Sequence, residues 1–233
     1  MGKGAMYVRP LLMGSGPILG VAPAPSYRFL VYVTPVGPYF KGGVKAIDLL
    51  ISDVHHRAAP GGSGGVKAIG NYAPGMMPSR DAKEQGFAEI IYLDAPSHSG
   101  SEEVGAANFF CVKDGVLYTP ELTGTILPGI TRASIIELAR NAGIEVHETK
   151  VTAEFAMSAD EAFCCGTAAV ISPIGSITHG EVKSSYGDGK PGPMTEQLYN
   201  HLVGIQNETE EDIFGWLHDC LLYTSDAADE VLG

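Results

Sequence analysis

The chain has 233 residues, 45% of them hydrophobic, which is enough for one large domain or two small ones around a real core. Fifteen Lys and Arg stand against 27 Asp and Glu, a formal net charge of −12, and the basic residues form no dense patch. Nucleic acid and anionic membrane surfaces are therefore not expected as partners, and no apolar run is long enough to span a bilayer.

Residues 7–14 and 28–35 are rich in β-branched and aromatic side chains and predict two strands joined by a Gly/Pro-rich connection over 15–26. Residues 35–43, with three glycines and two prolines, predict a linker. Residues 44–52 predict another strand, followed by a polar, glycine-rich loop. Residues 71–85 predict a helix disturbed by Pro74 and Pro78, with Gly86 as its C-cap. Residues 89–93 and 108–113 predict strands, the second ending in an Asp114-Gly115 hairpin turn. Residues 130–141 give the clearest helix, with Ile135, Leu138 and Ala139 on one face and Gly143 after its end.

Further on, residues 145–151 predict a strand, and Ser158-Ala159-Asp160-Glu161 fits a capping box for a short helix. Residues 163–177 carry apolar runs typical of buried strands, and Leu198, Leu202 and Ile205 form the stripe of a last helix. No internal repeat is present. Cys111, Cys164, Cys165 and Cys220 have the spacing of neither a zinc site nor a disulfide framework. Adjacent Cys164 and Cys165 would point to opposite faces of a strand. The expectation is a reducing compartment with cysteines as small core residues. No metal is expected, and His55-His56 reads as a pair of solvated loop histidines.

Chemistry concentrates in Gly61-Gly62-Ser63-Gly64-Gly65-Val66-Lys67-Ala68-Ile69-Gly70-Asn71-Tyr72. Glycines let the backbone approach a flat ligand closely. A lysine in apolar surroundings forms its neutral amine more easily, and a neutral amine attacks an aldehyde. Tyr72, if on the same wall, could hydrogen-bond a ligand's phenolic oxygen. A flexible surface loop with a solvated lysine is the alternative. A Walker-type phosphate loop does not fit, because Ala68 stands where Ser or Thr is required.

The run Gly64 through Tyr72 resembles the cofactor-lysine segment of branched-chain amino acid aminotransferases, fold-type IV enzymes that use pyridoxal phosphate (PLP). Five further blocks agree in the family's order: Tyr7-Val8-Arg9-Pro10, Pro35 through Phe40, Glu103 through Phe110, Gly124 through Arg132, and Cys165-Gly166-Thr167-Ala168-Ala169. The resemblance implies an α+β fold: a large domain with a barrel-like sheet and flanking helices, plus the last strands of a small α/β domain. It divides the chain into a small-domain remnant (1–35), an interdomain loop (36–45), the PLP-binding domain (46–218) and a tail (219–233). The tail departs from the family; Leu221 through Glu230 resembles translated library-adapter sequence and is expected to be disordered or artefactual.

The resemblance also assigns roles. Lys67 would carry PLP and move protons, Tyr72 would meet the phenolic oxygen, and Glu103 would face the pyridine nitrogen and keep it protonated. Neighbouring Glu102 would be an ordinary strand-edge charge. Ile130, Thr131 and Thr167 would hold the phosphate, the first two at a helix start. The Ala168 amide would take the substrate carboxylate, with Tyr7, Arg9 and Tyr39 at the substrate pocket. The family's redox Cys-x-x-Cys is absent, Ala169 and Ser172 taking those places.

In the family a further N-terminal segment, which would precede Tyr7, supplies a phosphate arginine. The first six residues are too short for a signal or transit peptide. The implied reaction is transamination of leucine, isoleucine and valine with 2-oxoglutarate by a homodimer. A D-amino acid aminotransferase, an aminodeoxychorismate lyase or a catalytically silent PLP-binding remnant are the alternatives. The compartment is left open between cytoplasm and, where a transit peptide precedes the segment, mitochondrion or chloroplast.

Overall fold

The structure, a computed structural model, describes residues 5–37 and 45–218. Tyr39, Cys220 and the unusual tail lie outside the described residues. The chain divides into two compact units, Met1–Gly43 and Val44–Gly233.

In the first unit, β1 (Ala5–Ser15) and β2 (Ser26–Val36) form an antiparallel ribbon in unbroken register, from Ala5 opposite Val36 to Ser15 opposite Ser26. The strand-forming residues predicted for both segments account for it. Tyr7 and Arg9 sit two apart on β1, hence on one face. The Arg9 guanidinium donates to the Tyr7 hydroxyl at 2.7 Å.

The second unit is built on a nine-stranded sheet. Six strands close into a ring: β3 (Ile47–Ser52), β4 (Glu89–Leu93), β5 (Ser101–Val104), β6 (Ala107–Lys113), β9 (Glu161–Gly166) and β10 (Val170–His179), which returns to β3. The β3 pairings with β4 and β10 are parallel and the rest antiparallel. Three strands extend the ring: β7 (Val116–Thr119) beside β6, β8 (Val146–Glu148) beside β7, and β11 (Val182–Ser185) beside β10. Closure removes edges from the ring strands and explains why most of their residues are buried on both faces, the polar ones of β5 included.

Along β6, Phe109 and Cys111 enter one core with Leu49, Ile91 and Ile174. Phe110 and Val112 enter a second core under two helices, α2 (Ile130–Asn141) and α4 (Pro193–Gln206). Cys164 and Cys165 divide between the same two cores, as the strand period requires. Burial pushes the Cys111 and Cys164 thiols up to about 12. They are packing groups rather than nucleophiles.

Several expectations need correction. The helix predicted over 71–85 opens as two short 3₁₀ turns, and only α1 (Met76–Glu84) is continuous. Pro78 is tolerated because it lies in the first turn, where its missing N–H has no intrahelical acceptor. The strand predicted over 145–151 shrinks to β8. The Ser158–Glu161 capping box does not start a helix. Ser158 instead ends α3 (Ala153–Met157), whose N-cap is Thr152, accepting the Phe155 amide at 3.1 Å. Glu161 starts β9, and its carboxylate caps α4, accepting the Met194 and Thr195 amides at 3.0 and 2.9 Å. His56 is not simply solvated: its Nδ1 lies 3.0 Å from the Leu93 carbonyl and its ring packs edge-on against His98.

Candidate active site

The segment after β3 carries Lys67. It docks through its glycines: the Gly65 amide donates to the Gly124 carbonyl at 2.8 Å, and Gly64 lies against Thr125 with no room for a Cβ. Asn71 then staples the turn shut, its Nδ2 donating to the carbonyls of Ser63 and Val66 at 2.6 and 2.7 Å. That geometry brings Lys67 Nζ to 3.3 Å from the Tyr72 hydroxyl, with the ammonium 5.6 Å from the ring centroid. Lys67 itself is exposed. The water-poor setting expected from its apolar sequence neighbours is therefore not formed within the described chain, because Val66 and Ile69 also face outward.

Glu103 lies on β5 and is 2% exposed. One carboxylate oxygen accepts the Leu127 amide at 2.9 Å and the Asn108 amide group at 3.3 Å. The other accepts Nε of Arg57. Burial pushes its carboxyl up, against the pull of the Arg57 charge and the Leu127 amide.

Glu102 is also buried, which corrects the expectation of an ordinary strand-edge charge. It points to the opposite face of β5, where Thr125 donates to one of its oxygens and the other has no partner. Burial raises its carboxyl above the ordinary value. The strand is interior, flanked by β4 and β6, so both alternate positions lose water.

Asn108 sits opposite Glu103 in the β5–β6 register and opposite Cys165 in the β6–β9 register. Its Nδ2 also donates to the Leu127 carbonyl at 2.9 Å. Its Oδ1 occupies the space that a Cβ on Gly129 would need. Gly129 is the N-cap of α2 and offers no side-chain cap, so the first-turn amides, those of Ile130 and Thr131 among them, remain available to an anion. Arg132 fixes that helix end from behind: it is buried and donates to the Pro120 carbonyl at 2.9 Å and to Glu148 at 3.0 Å.

Thr167 and Ala168 are exposed in the turn between β9 and β10, just past the rung that Cys165 shares with Asn108. A chain of direct contacts thus links the lysine loop, Glu103, the start of α2 and the strand that delivers the 167–169 turn. Tyr7 and Arg9 pair with each other in the first unit, and Tyr39 lies outside the described residues.

Sequence reasoning gives no role to Arg57, Asn71 or Asn108. Both asparagines lie inside quoted motifs, and a buried acid at Glu103 calls for a buried cation. Nothing in the sequence singles out Arg57 for that place.

The donor set suits pyridoxal phosphate: an amine beside a phenol, a fixed buried carboxylate, and a helix start free of side-chain capping. Among the described residues no cluster of His, Cys, Asp or Glu could hold a metal ion, and no helix is long and apolar enough to cross a membrane.

The comparisons agree. A chloroplastic branched-chain-amino-acid aminotransferase (number 5) of Arabidopsis thaliana is 52% identical over 215 residues, covering 92% of this chain and 52% of that one. The solved branched-chain amino acid aminotransferase from Escherichia coli matches with a TM-score of 0.78 at 36% identity, over 92% of this chain and 68% of that one. The branched-chain amino acid aminotransferase from Thermobaculum terrenum, solved in its PLP form, matches with a TM-score of 0.76 at 27% identity, over 88% of this chain and 65% of that one. The chain spans about half the length of the curated relatives it matches. The family model for amino-transferase class IV covers residues 1–177, a span that contains Lys67, Glu103, the start of α2 and the Thr167 turn, and the chain belongs to that family.

Proposed function

We propose that this chain is the PLP-bearing part of a branched-chain amino acid aminotransferase, which moves the amino group of leucine, isoleucine or valine to 2-oxoglutarate and yields branched-chain 2-oxo acids and glutamate. The observation that carries the reading is Glu103: a buried, thrice-bonded carboxylate held one residue contact away from both the lysine loop and the α2 start. Pyridoxal phosphate, when bound, supplies an aldehyde and a ring that stores carbanion charge.

The chain's residues do the rest. Lys67 holds the aldehyde carbon and moves the proton at the substrate Cα. Tyr72 shares its hydroxyl between Lys67 and the ring oxygen. Glu103 keeps a proton on the ring nitrogen. The Ile130 and Thr131 amides with the Thr131 and Thr167 hydroxyls hold the phosphate, and the Ala168 amide orients the substrate carboxylate. Tyr7, Arg9 and Tyr39 shape the side-chain pocket.

A homodimer is the assembly the resemblance implies. The chloroplastic naming of the Arabidopsis relative supports an organelle, among the compartments the sequence leaves open.

Borohydride reduction of the PLP-loaded chain followed by peptide mapping should label Lys67. A label on Lys45 or Lys83 instead would sink the assignment. Turnover of leucine with 2-oxoglutarate tests the reaction. Release of a keto acid from aminodeoxychorismate without it would mark a lyase.

A further inference from the structure

Arg57 takes no part in the chemistry above, yet it is as buried as the acid it meets: the two side chains are 7% and 3% exposed. Its guanidinium is shared between two elements. Nε donates to Glu103, while the terminal nitrogens reach the Gly64 carbonyl at 3.3 and 3.5 Å. Gly64 belongs to the loop that carries Lys67 and is wedged against Thr125. The geometry points to Arg57 as a positioning residue that keeps Glu103 ionised in a single orientation and ties it to the lysine loop. This inference rests on the assignment of Glu103 as the acid that faces the cofactor ring.

Glu103 has four neighbours that bear on its charge, besides Arg57. Asn108 on β6 and the Leu127 amide both bind the same carboxylate oxygen. Glu102, the preceding residue of β5, is a like charge and opposes ionisation. Cys165 on β9 is a buried thiol kept neutral by desolvation, and so adds no charge. Only Arg57 binds the second oxygen, and among these groups it is the only cation. Without it a water-excluded carboxylate keeps one oxygen unpaired, and protonation is the lower-energy state. A neutral acid cannot hold a second proton on a facing nitrogen.

The fork matters as well as the charge. Lysine has one compact ammonium and cannot bridge a carboxylate and a carbonyl in the plane that the guanidinium spans. Arg57→Lys therefore separates charge from bridging, and Arg57→Met removes both.

The test uses the full chain, cofactor-free and PLP-loaded, with carboxyl-labelled glutamate followed by ¹³C NMR. Glu103 is assigned by its loss in Glu103→Gln. In the cofactor-free chain, Arg57→Met should raise the Glu103 titration by roughly one to three pH units, the size of a nearby opposite charge. Arg57→Lys should leave that titration near wild type but speed amide exchange at Gly64 and Gly65.

An unchanged Glu103 titration in Arg57→Met overturns the inference. If that variant does not fold, Arg57→Lys decides: unchanged exchange in the lysine loop overturns it. In the PLP-loaded chain the pH dependence of the visible absorption band should move to higher pH in Arg57→Met than in wild type. Borohydride labelling keeps the two questions apart. A label away from Lys67 defeats the functional reading while leaving the Arg57–Glu103 coupling measurable.

Discussion

Gly64 is packed so closely on Thr125 that a Cβ at position 64 would overlap the Thr125 carbonyl oxygen and the Ala58 methyl. This contact, together with the bond from the Gly65 amide to the Gly124 carbonyl, sets the height of the Lys67 loop over β5. Gly64→Ala should therefore cost about 1–3 kcal/mol of stability, as overpacking usually does. It should weaken PLP binding more than the stability loss alone explains. Urea unfolding beside a cofactor titration measures both. Wild-type affinity in a folded Gly64→Ala chain would show that the loop position is not set here.

Asp94 closes the turn between β4 and β5. Burial works against its charge, but the Ser97 hydroxyl and the amides of Gly100, Ser99 and Ser97 outweigh it and hold the carboxyl at about 2, against an ordinary 3.8. The folded value is depressed, so the stabilisation is complete above the ordinary value and is lost as pH falls through about 2. The difference corresponds to about 2 kcal/mol. Asp94→Asn should lose that amount at pH 7, and the gap from wild type should shrink as pH falls through the ordinary 3.8 and be nearly gone at about pH 2. A gap that persists unchanged to about pH 2 would mean that charge is not what Asp94 contributes.

How far the sequence discloses this molecule depends on what each signal measures. Composition, period and punctuation are local, so β4 falls where its short apolar run places it and α2 where its apolar spacing and Gly143 do. Short strands whose pattern is broken by polar residues are misjudged in burial: β5 reads Ser-Glu-Glu-Val, so Glu102 passes for a strand-edge charge, yet the strand is buried throughout, because ring closure rather than side-chain chemistry decides its environment. The same closure hides Arg57, whose partner is 46 residues away. Lys67 stands out by its glycine-rich setting but is told from a solvated loop lysine only through motif resemblance, and Glu103 is legible only that way. In composition and spacing, Glu103 and Glu102 are indistinguishable; what separates them is which face of β5 meets Asn108 and Arg57.

Glu161 illustrates a local signature with a distant use. Its carboxylate accepts the Met194 amide at 3.0 Å, the Thr195 amide at 2.9 Å and the Thr195 hydroxyl at 2.8 Å, so it caps α4 from another strand. Glu161→Ala should destabilise the chain by about 1–2 kcal/mol, as for lost N-caps. The Met194 and Thr195 amides should exchange faster while those near Ile205 do not. Uniform loosening along α4 would contradict a capping role.

Glu102 and Glu103 give opposite predictions for the same substitution. Glu102 has one oxygen on the Thr125 hydroxyl, one without a partner, and no cation in hydrogen-bonding contact. Burial raises its carboxyl above the ordinary 4.5. Stability from this group is therefore fully present below 4.5 and is lost as pH rises through the higher folded value. Glu102→Gln keeps an acceptor for Thr125 and has no proton to lose. The variant should match or exceed wild-type stability at about pH 7, and any advantage should vanish below pH 4.5. Glu103→Gln instead leaves the Arg57 charge buried without its counterion, an imbalance that costs about 3–5 kcal/mol. It should also abolish the proton hold on the cofactor ring, slowing both half-reactions of transamination while PLP still binds. Paired urea curves at about pH 4 and about pH 7, with single-turnover kinetics on leucine, separate the two. Equal losses in both variants would mean that the two faces of β5 are not chemically distinct.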